Sequence, residues 1–377
     1  MCSKMWLIIS GICLLYFRKG AWEAGNRNTL LSTVNSDIMF NLSAYDYPFD
    51  PSLIAQYPVS VRDQSGLLVL NRSDGTIEHR RFYNIVEYLR DGDILVLNNT
   101  KVMPCRIVGE REGTGGRVEL LLIKKYDDLT WESISNKKLR DGVRIRFSDE
   151  CSGEVIGAAN SNYIVKFNYN SHGGTFLHEI GQMPVPPYIK RKSCEKDKEH
   201  YQTVYAVEDG AIAAPTAGLH FTNELIGALN DRGVSTVYIT LHVGVGTFKP
   251  VKSENIQHHK MEYEWFNVPE NVVRGIRQTK ENGGRGIAVG TTSVRALEHA
   301  AINGVLNPSE GKTGLFICPG FKFNVVDAMI TNFHLPKSTL LMLVMAFAGR
   351  DNILNSYAEA VAKKYRFYSY GDAMLII

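Results

Sequence analysis

The stretch GIAVGTTSVRALEHAAING, residues 286–304, joins a short apolar run to an amphipathic one through Gly290, Thr291, Thr292 and Ser293. The first part reads as a buried strand and the part from Ser293 to Gly304 as a helix, so the joint between them is a strand-to-helix turn. The same alternation extends in both directions. Upstream lie NELIGALNDRG (223–233), a helix with Thr222 to cap its start and Gly233 its end, then the strand VSTVYITLHVGVG (234–246) and a helix opened by Pro269. Downstream, GLFICPG (314–320) reads as a strand, STLLMLVMAFAG (338–349) as a nearly all-apolar buried helix and ILNSYAEAVAKKY (353–365) as an amphipathic one. Strand and helix in alternation imply an α/β fold: a layered α/β domain with a largely parallel sheet.

Nearer the N-terminus, GLLVLNRSDGTIEHRRF (66–82) has two strand-like runs around Ser73-Asp74-Gly75, a hairpin signal. A short helix is expected over Asn84–Leu89, and GDILVLNNTKV (92–102) reads as a buried strand ending in polar residues. Between Pro104 and Tyr169 the character changes to six short alternating runs, CRIVGERE, GRVELLLIKKY, TWESIS, GVRIRFS, GEVIGAA and NYIVKFNYN, with no helical period between them. Short strands at that spacing suggest a small barrel. The expected organisation is therefore an N-terminal extension over 1–38, an α/β catalytic domain over 39–103 and 175–377, and an inserted β-barrel domain over 104–174.

Composition narrows the function. The 377 residues are 44% apolar and 21% charged, which excludes disorder and fibre, and a net charge of +3 does not by itself argue for a polyanion partner. One basic cluster stands out: Lys190, Arg191, Lys192, Lys196 and Lys198. The six cysteines are scattered, with no C-x-x-C pair and no zinc spacing, so neither a structural metal nor a disulfide framework is expected. The apolar run Met5–Phe17 loosely imitates a signal peptide but is shorter than the roughly 20 residues of a membrane span. No membrane association is expected. The segment that starts at Met39 reads like the opening of a domain.

Five loops at strand ends carry small, hydroxyl, amide or imidazole residues: NNTKV (98–102), PTAGLHF (215–221), LHVGVGTF (241–248), GTTSVR (290–295) and TNFHLPKST (331–339). Ligands bind at the carboxyl ends of strands in such sheets, so loops of one chemical style suggest one pocket. They nominate Asn98, Asn99, Thr100, Pro215, Thr216, Gly218, Gly244, Gly246, Thr247, Thr291, Thr292, Ser293, Arg295 and Asn332 for substrate binding. His220, His242 and His334 are the candidate catalytic residues. A lone imidazole in apolar company is often a core residue, but three in such loops favour proton transfer and substrate hydrogen bonding, with metal binding ranked below because no carboxylate stands at ligand spacing. GTTSVR could receive an anion at a helix start. Ser293 is not in a G-x-S-x-G elbow, and VGVGTF lacks the third glycine of a dinucleotide fingerprint. Its two glycines would let a ligand approach the backbone closely.

Taken together, AAPTAGLHFT, TLHVGVGTFKPV, AVGTTSVRALE and ITNFHLPKSTLLMLVMAFAG, with VLNNTKVMPCR upstream, resemble the S-adenosylmethionine:tRNA ribosyltransferase-isomerases of queuosine biosynthesis, in order from Phe40 to the C-terminus. The resemblance implies an α/β domain with an inserted β-barrel and a cytoplasmic enzyme, which leaves 1–38 outside the family and favours a start at Met39. It implies transfer and isomerisation of the ribosyl part of S-adenosylmethionine onto 7-aminomethyl-7-deazaguanine at the tRNA wobble position, giving epoxyqueuosine-tRNA, adenine and methionine. S-adenosylmethionine is then a consumed cosubstrate, with no permanently bound cofactor. On that chemistry His220 and His242 would move protons and His334 would orient substrate, with the roles exchangeable. Loop amides and hydroxyls would hold ribose, adenine and the methionine carboxylate.

Two positions depart from the family pattern: Gly66, where arginine is common, and Glu262, where histidine is common, while His259 and Glu264 fit it. Partner tRNA would meet Lys190, Arg191 and Lys192, with Tyr188 and Tyr201 near enough to stack a loop base and Arg140, Arg144 and Arg146 available on the barrel. A monomer is expected. Two rival readings are a non-catalytic nucleoside or S-adenosylmethionine binding protein and an enzyme, such as a hydrolase, acting on a free small molecule.

Overall fold

The computed structural model describes residues 39–159, 161–170, 176–248 and 251–377; the 1–38 extension lies outside them. In chain order the strands are β1 (Gly66–Leu70), β2 (Ile77–Arg81), β3 (Ile94–Asn98), β4 (Thr100–Val102), β5 (Arg106–Arg111), β6 (Arg117–Lys125), β7 (Thr130–Ser135), β8 (Arg144–Arg146), β9 (Cys151–Ala159) and β10 (Asn162–Tyr169). Then follow β11 (Glu208–Ala211), β12 (Ser235–Leu241), β13 (Glu264–Val268), β14 (Gly286–Val289), β15 (Ser309–Thr313), β16 (Ala328–Asn332) and β17 (Ala373–Ile376). The helices are α1 (Phe176–Ile180), α2 (Asp197–His200), α3 (Asn223–Asp231), α4 (Glu270–Glu281), α5 (Gly290–Ala300), α6 (Thr339–Ala348) and α7 (Arg350–Ala362).

Strands β5 to β10 close into a barrel in the order β10-β7-β6-β5-β8-β9, and each coincides with one of the six alternating runs. Alternation decides this. Along β6 the residues Val118, Leu120 and Leu122 point inward and are buried, so one face of a two-residue repeat fills the barrel.

Of the other eleven strands, nine form one mixed sheet, β15-β13-β12-β3-β14-β16-β17-β1-β2, while β4 and β11 pair with each other in a two-stranded sheet. Its centre, β12-β3-β14-β16, is parallel, as alternating strands and helices require. Outside that centre β1 and β17 also pair parallel, but β13, β15, β17 and β2 each pair antiparallel with a neighbour, so the sheet is mixed where a largely parallel one was expected. For β17 the reason is that two helices, α6 and α7, separate it from β16. A pair of helices returns the chain to the edge it left, whereas a single crossover delivers it to the opposite one.

Alternate strand residues feed two apolar clusters on opposite faces. Leu68, Val96, Ala288 and Met329 pack with α4, α5, α6 and α7, while Leu67, Leu95, Ile287 and Ile330 pack with α3 and the turn Phe82–Glu87. That turn is a 3₁₀ helix two residues earlier than the helix expected over Asn84–Leu89. Caps set the helix starts: Thr222 accepts from the Leu225 amide (3.1 Å) ahead of α3, and Ser338 from the Leu341 amide (3.2 Å) ahead of α6. Pro269 is the residue just before α4 and not its first turn. The strand expected at GLFICPG lies five residues earlier, at the polar edge segment Ser309–Thr313. Leu315, Phe316 and Cys318 leave the ladder and pack on the core instead, because an edge strand needs no apolar run while the core does.

Candidate functional site

A cavity of about 610 Å³ opens at the carboxyl ends of β14 and β16, within the size range of small-molecule sites, roughly 300–1,000 Å³. Of the residues nominated from sequence, Pro215, Thr216, Thr247, Thr291, Thr292, Asn332 and His334 line it. Asn98, Asn99, Thr100, Gly218, Gly244, Gly246, Ser293, Arg295, His220 and His242 do not.

One pole of the cavity is the start of α5. Gly290 enters the helix at φ +87°, a conformation that favours glycine, and no side chain caps the turn that follows. The first-turn amides of a helix have no internal partner, and this end of the dipole is positive. The Thr292 hydroxyl beside them is buried without a hydrogen-bond partner. The pole therefore offers donors that suit a carboxylate.

The opposite wall is polar and neutral. His334, 8% exposed, engages Thr331 Oγ1 through Nε2 at 2.8 Å, which leaves Nδ1 for a ligand. Its main chain is fixed by Tyr47 Oη donating to the carbonyl (2.5 Å) and by the amide donating to Tyr357 Oη (3.0 Å). Asn332 accepts from Thr216 Oγ1 (3.0 Å) and donates to His220 Nε2 (3.1 Å). His220 thus stands behind Asn332, stacked on Phe82 with its Nδ1 2.7 Å from Ser65 Oγ. The donating amide makes Nε2 the acceptor, so the proton of the neutral ring sits on Nδ1. Burial pushes the His334 imidazole down to about 3 and that of His220 to about 4, the carboxylate of Asp372 only partly opposing it at His220. Both rings are therefore uncharged at neutral pH.

A second cluster of the same residue types is closed. Asn98 donates to the Leu241 carbonyl (3.0 Å) and accepts from the Leu241 amide (3.0 Å) and the Thr100 amide (3.2 Å), so its side chain extends the β3–β12 ladder by one step. Asn99 accepts from Thr240 Oγ1 (2.7 Å), and Thr100 Oγ1 meets His242 Nδ1 (2.7 Å). His242 is stacked on Trp265 and packed against Gly210, where an added Cβ would lie 2.6 Å from Nε2. Its pKa is lowered by burial, with Glu208 and Asp209 pulling the other way. Asn98, Asn99 and Thr100 thus spend polar atoms on the main chain, on Thr240 and on His242, whose Nε2 lies beside Gly210.

The remaining nominees serve the cavity from behind. Arg295 makes a buried ion pair with Glu264 and donates to the Leu315 carbonyl (3.1 Å). Glu264 in turn accepts from the Gly244 amide (2.9 Å) and Thr247 Oγ1 (3.0 Å), holding Thr247 at the cavity wall. Glu262 approaches Gly246 closely, its carboxylate lying 2.8 Å from where a Cβ would stand. Ser293 Oγ is spent on the Val289 carbonyl (2.7 Å), and Gly218 makes room for Tyr205, whose Oη would lie 2.1 Å from a Cβ.

Among the described residues no group of histidine, cysteine or acidic side chains could hold a metal ion, and no helix is long and apolar enough to cross a membrane.

The model of a family described as "Queuosine biosynthesis protein" matches residues 42–376. The chain belongs to this family. Similar proteins are named S-adenosylmethionine:tRNA ribosyltransferase-isomerase: one from Sulfurihydrogenibium sp., 50% identical, covering 89% of this chain and 99% of the relative, and one from Symbiobacterium thermophilum, 52% identical with the same coverage. The crystal structure of S-adenosylmethionine tRNA ribosyltransferase from Thermotoga maritima matches at 38% identity over 89% of this chain and 100% of that one, with a TM-score of 0.51.

At the two positions that leave the family pattern the structure is specific. The Gly66 amide donates to Asp372 Oδ1 (2.9 Å), and the Arg366 guanidinium pairs with the same carboxylate (2.8 Å). Glu262 lies against Gly246, while His259 sits edge-on to Phe316, with burial lowering its pKa.

Tyr188, Lys337, Ser338, Tyr368 and Ser369 also line the cavity but were not nominated for substrate binding. Lys337 (φ 58°) and Tyr368 (φ 71°) occupy the left-handed region, which is uncommon for such side chains and frequent at functional sites. The readable signal was the polar run Tyr368–Gly371 ahead of the terminal apolar strand. The start of β17 reaches the edge where the strand carboxyl ends lie only because β17 runs antiparallel, with Asn332 opposite Ala373.

In the basic loop, Lys190, Lys192, Lys196 and Lys198 are exposed. Arg191 is committed internally to buried Asp197 through two hydrogen bonds (2.8 and 2.6 Å), and fully buried Tyr201 offers no ring to a base. Arg144 pairs with Glu154 (3.0 Å) on the barrel surface.

Proposed function

We propose that the protein transfers and isomerises the ribosyl moiety of S-adenosylmethionine onto 7-aminomethyl-7-deazaguanine at the tRNA wobble position, releasing adenine and methionine and leaving epoxyqueuosine. The observation that carries this reading is the cavity in which an uncapped helix start and an unpartnered Thr292 hydroxyl face the neutral Asn332–His334 wall, in a chain of this family. The methionine carboxylate takes the α5 pole, where amides and the helix dipole replace its hydration. Asn332 and Thr216 hold ribose hydroxyls, and Asn332 is kept in its orientation by His220 from behind. His334 faces the sulfonium side as a neutral acceptor through Nδ1, the protonation state that receiving a proton or a hydrogen bond requires. The nucleophile is the substrate amine, consistent with the use of Ser293 in a helix-start hydrogen bond.

The domain division at 104–174 belongs to the same reading: the barrel is a separate unit beside the catalytic sheet, and the exposed lysines of 190–198 meet the tRNA backbone. The protein acts in the cytoplasm as a monomer.

The test is chromatographic measurement of adenine released from S-adenosylmethionine, with and without tRNA carrying the aminomethyl-deazaguanine base. Release that depends on that tRNA is the expected result. Binding of S-adenosylmethionine without release under both conditions would replace the reading with that of a binding protein, and release without RNA would replace it with that of a small-molecule enzyme.

A further inference from the structure

We propose that Tyr57 is a stacking platform for an unpaired nucleobase beside the mouth of the cavity, an inference that rests on tRNA being the substrate. Its ring is 62% exposed, and the Arg191 guanidinium lies 4.5 Å from the ring centroid, backing one face and leaving the other to solvent. Arg191 is itself immobile: besides its two bonds to Asp197 it donates from Nε to the Gln56 carbonyl (2.9 Å). Gln56 laces the platform to the basic loop, accepting from the Lys190 amide (2.7 Å) and donating to the Tyr188 carbonyl (3.1 Å). Tyr188 lines the cavity, so the platform is one residue contact from its wall.

Exposure alone does not single out this ring, since Tyr263 is 73% exposed. Tyr126 also carries a cation, Lys124 at 4.7 Å, but it donates to Glu132 (3.1 Å) and is followed by Asp127 and Asp128, a surface that repels phosphate. Exposed Lys190 and Lys192 adjoin Tyr57 through the same frame, the Lys190 amide donating to Gln56 Oε1 (2.7 Å) and Arg191 Nη1 donating to the Lys192 carbonyl (3.1 Å). A fixed aromatic face flanked by cations fits a base with a phosphate on either side, because every base has a face to stack and stacking needs no sequence match. The pair's pre-set geometry means little side-chain freedom is lost on binding.

The test uses the full chain, a fluorescently labelled anticodon stem-loop RNA with unmodified guanine at the wobble position, and S-adenosylmethionine titrated calorimetrically into the same preparations. Tyr57→Ala is expected to weaken RNA binding by about 5- to 150-fold at fixed salt, with the salt slope and S-adenosylmethionine affinity unchanged. Tyr57→Phe and Tyr57→Trp retain binding within a few-fold, and Tyr126→Ala leaves it unchanged. Equal RNA affinity for wild type and Tyr57→Ala overturns the platform and leaves the proposed reaction standing, as does a Tyr57→Phe loss as large as that of alanine. A wild-type protein that binds S-adenosylmethionine but no RNA overturns both.

Discussion

Two ends of one sheet edge carry the same chemistry in sequence and opposite chemistry in space. The β14–β16 end and the β3–β12 end each combine amides, hydroxyls and an imidazole. At the first, a buried Thr292 hydroxyl and the first-turn amides of α5 face an open cavity. At the second, which does not line the cavity, Asn98 bonds the main chain, Asn99 accepts from Thr240 Oγ1 and Thr100 Oγ1 meets His242 Nδ1. A buried polar atom left without a partner costs more than a satisfied one, so it persists where a ligand supplies what the fold does not. Placement on an open cavity beside an uncapped helix start, and not residue type, separates the two ends here.

The comparison breaks most easily by mutation of the two imidazoles. His334→Ala is expected to lower the rate of adenine release about 100-fold or more, while His242→Ala keeps it within about 10-fold and loses stability instead, as removal of a hydrogen-bonding imidazole from a scaffold does. Equal losses of turnover would erase the distinction between the ends. The next largest effect is on stability. Asn98→Ala strips three main-chain groups of partners and should cost about 2–4 kcal/mol by urea denaturation, with kcat/KM of the folded enzyme nearly unchanged.

Smaller and of opposite sign is Thr292→Val. Because the hydroxyl has no partner in the protein, the methyl replacement should leave stability unchanged or raise it by up to about 1 kcal/mol, while KM for S-adenosylmethionine rises about 5- to 10-fold. A stability loss of several kcal/mol would show that the hydroxyl serves the fold. The smallest effect is on pH dependence. His220 and His334 have folded pKa values of about 4 and 3, below the unfolded value of about 6.5. Between those limits the unfolded chain binds more protons, so stability rises with pH there: it is complete above about pH 6.5 and declines as the pH falls towards 4, by at most about 1.4 kcal/mol per pH unit for each ring. Equilibrium denaturation across that window checks it, and His220→Gln should flatten the slope.

Much of the site was legible. PTAGLHF, GTTSVR and TNFHLPKST were named as strand-end loops, and all three reach the cavity. NNTKV does not line the cavity; its Asn98 completes a ladder that exists only once β3 and β12 are paired. Tyr368 and Ser369 were missed because the direction of β17 follows from a helix pair, which no local period announces. Arg191 stands among lysines in the sequence, whereas in the fold buried Asp197 claims it. The polar edge strand β15 left no apolar trace at all.

Local patterns, by themselves, determined the elements: two-residue alternation specified all six barrel strands, and apolar runs joined to amphipathic ones specified the parallel centre of the sheet, because burial of one face dictates each period. Long motif matches determined the family as well. Tertiary structure alone decided which polar groups are left open, since a hydrogen bond between residues 143 positions apart, such as that of Asn98 with Leu241, has no expression in either segment until the chain brings them together.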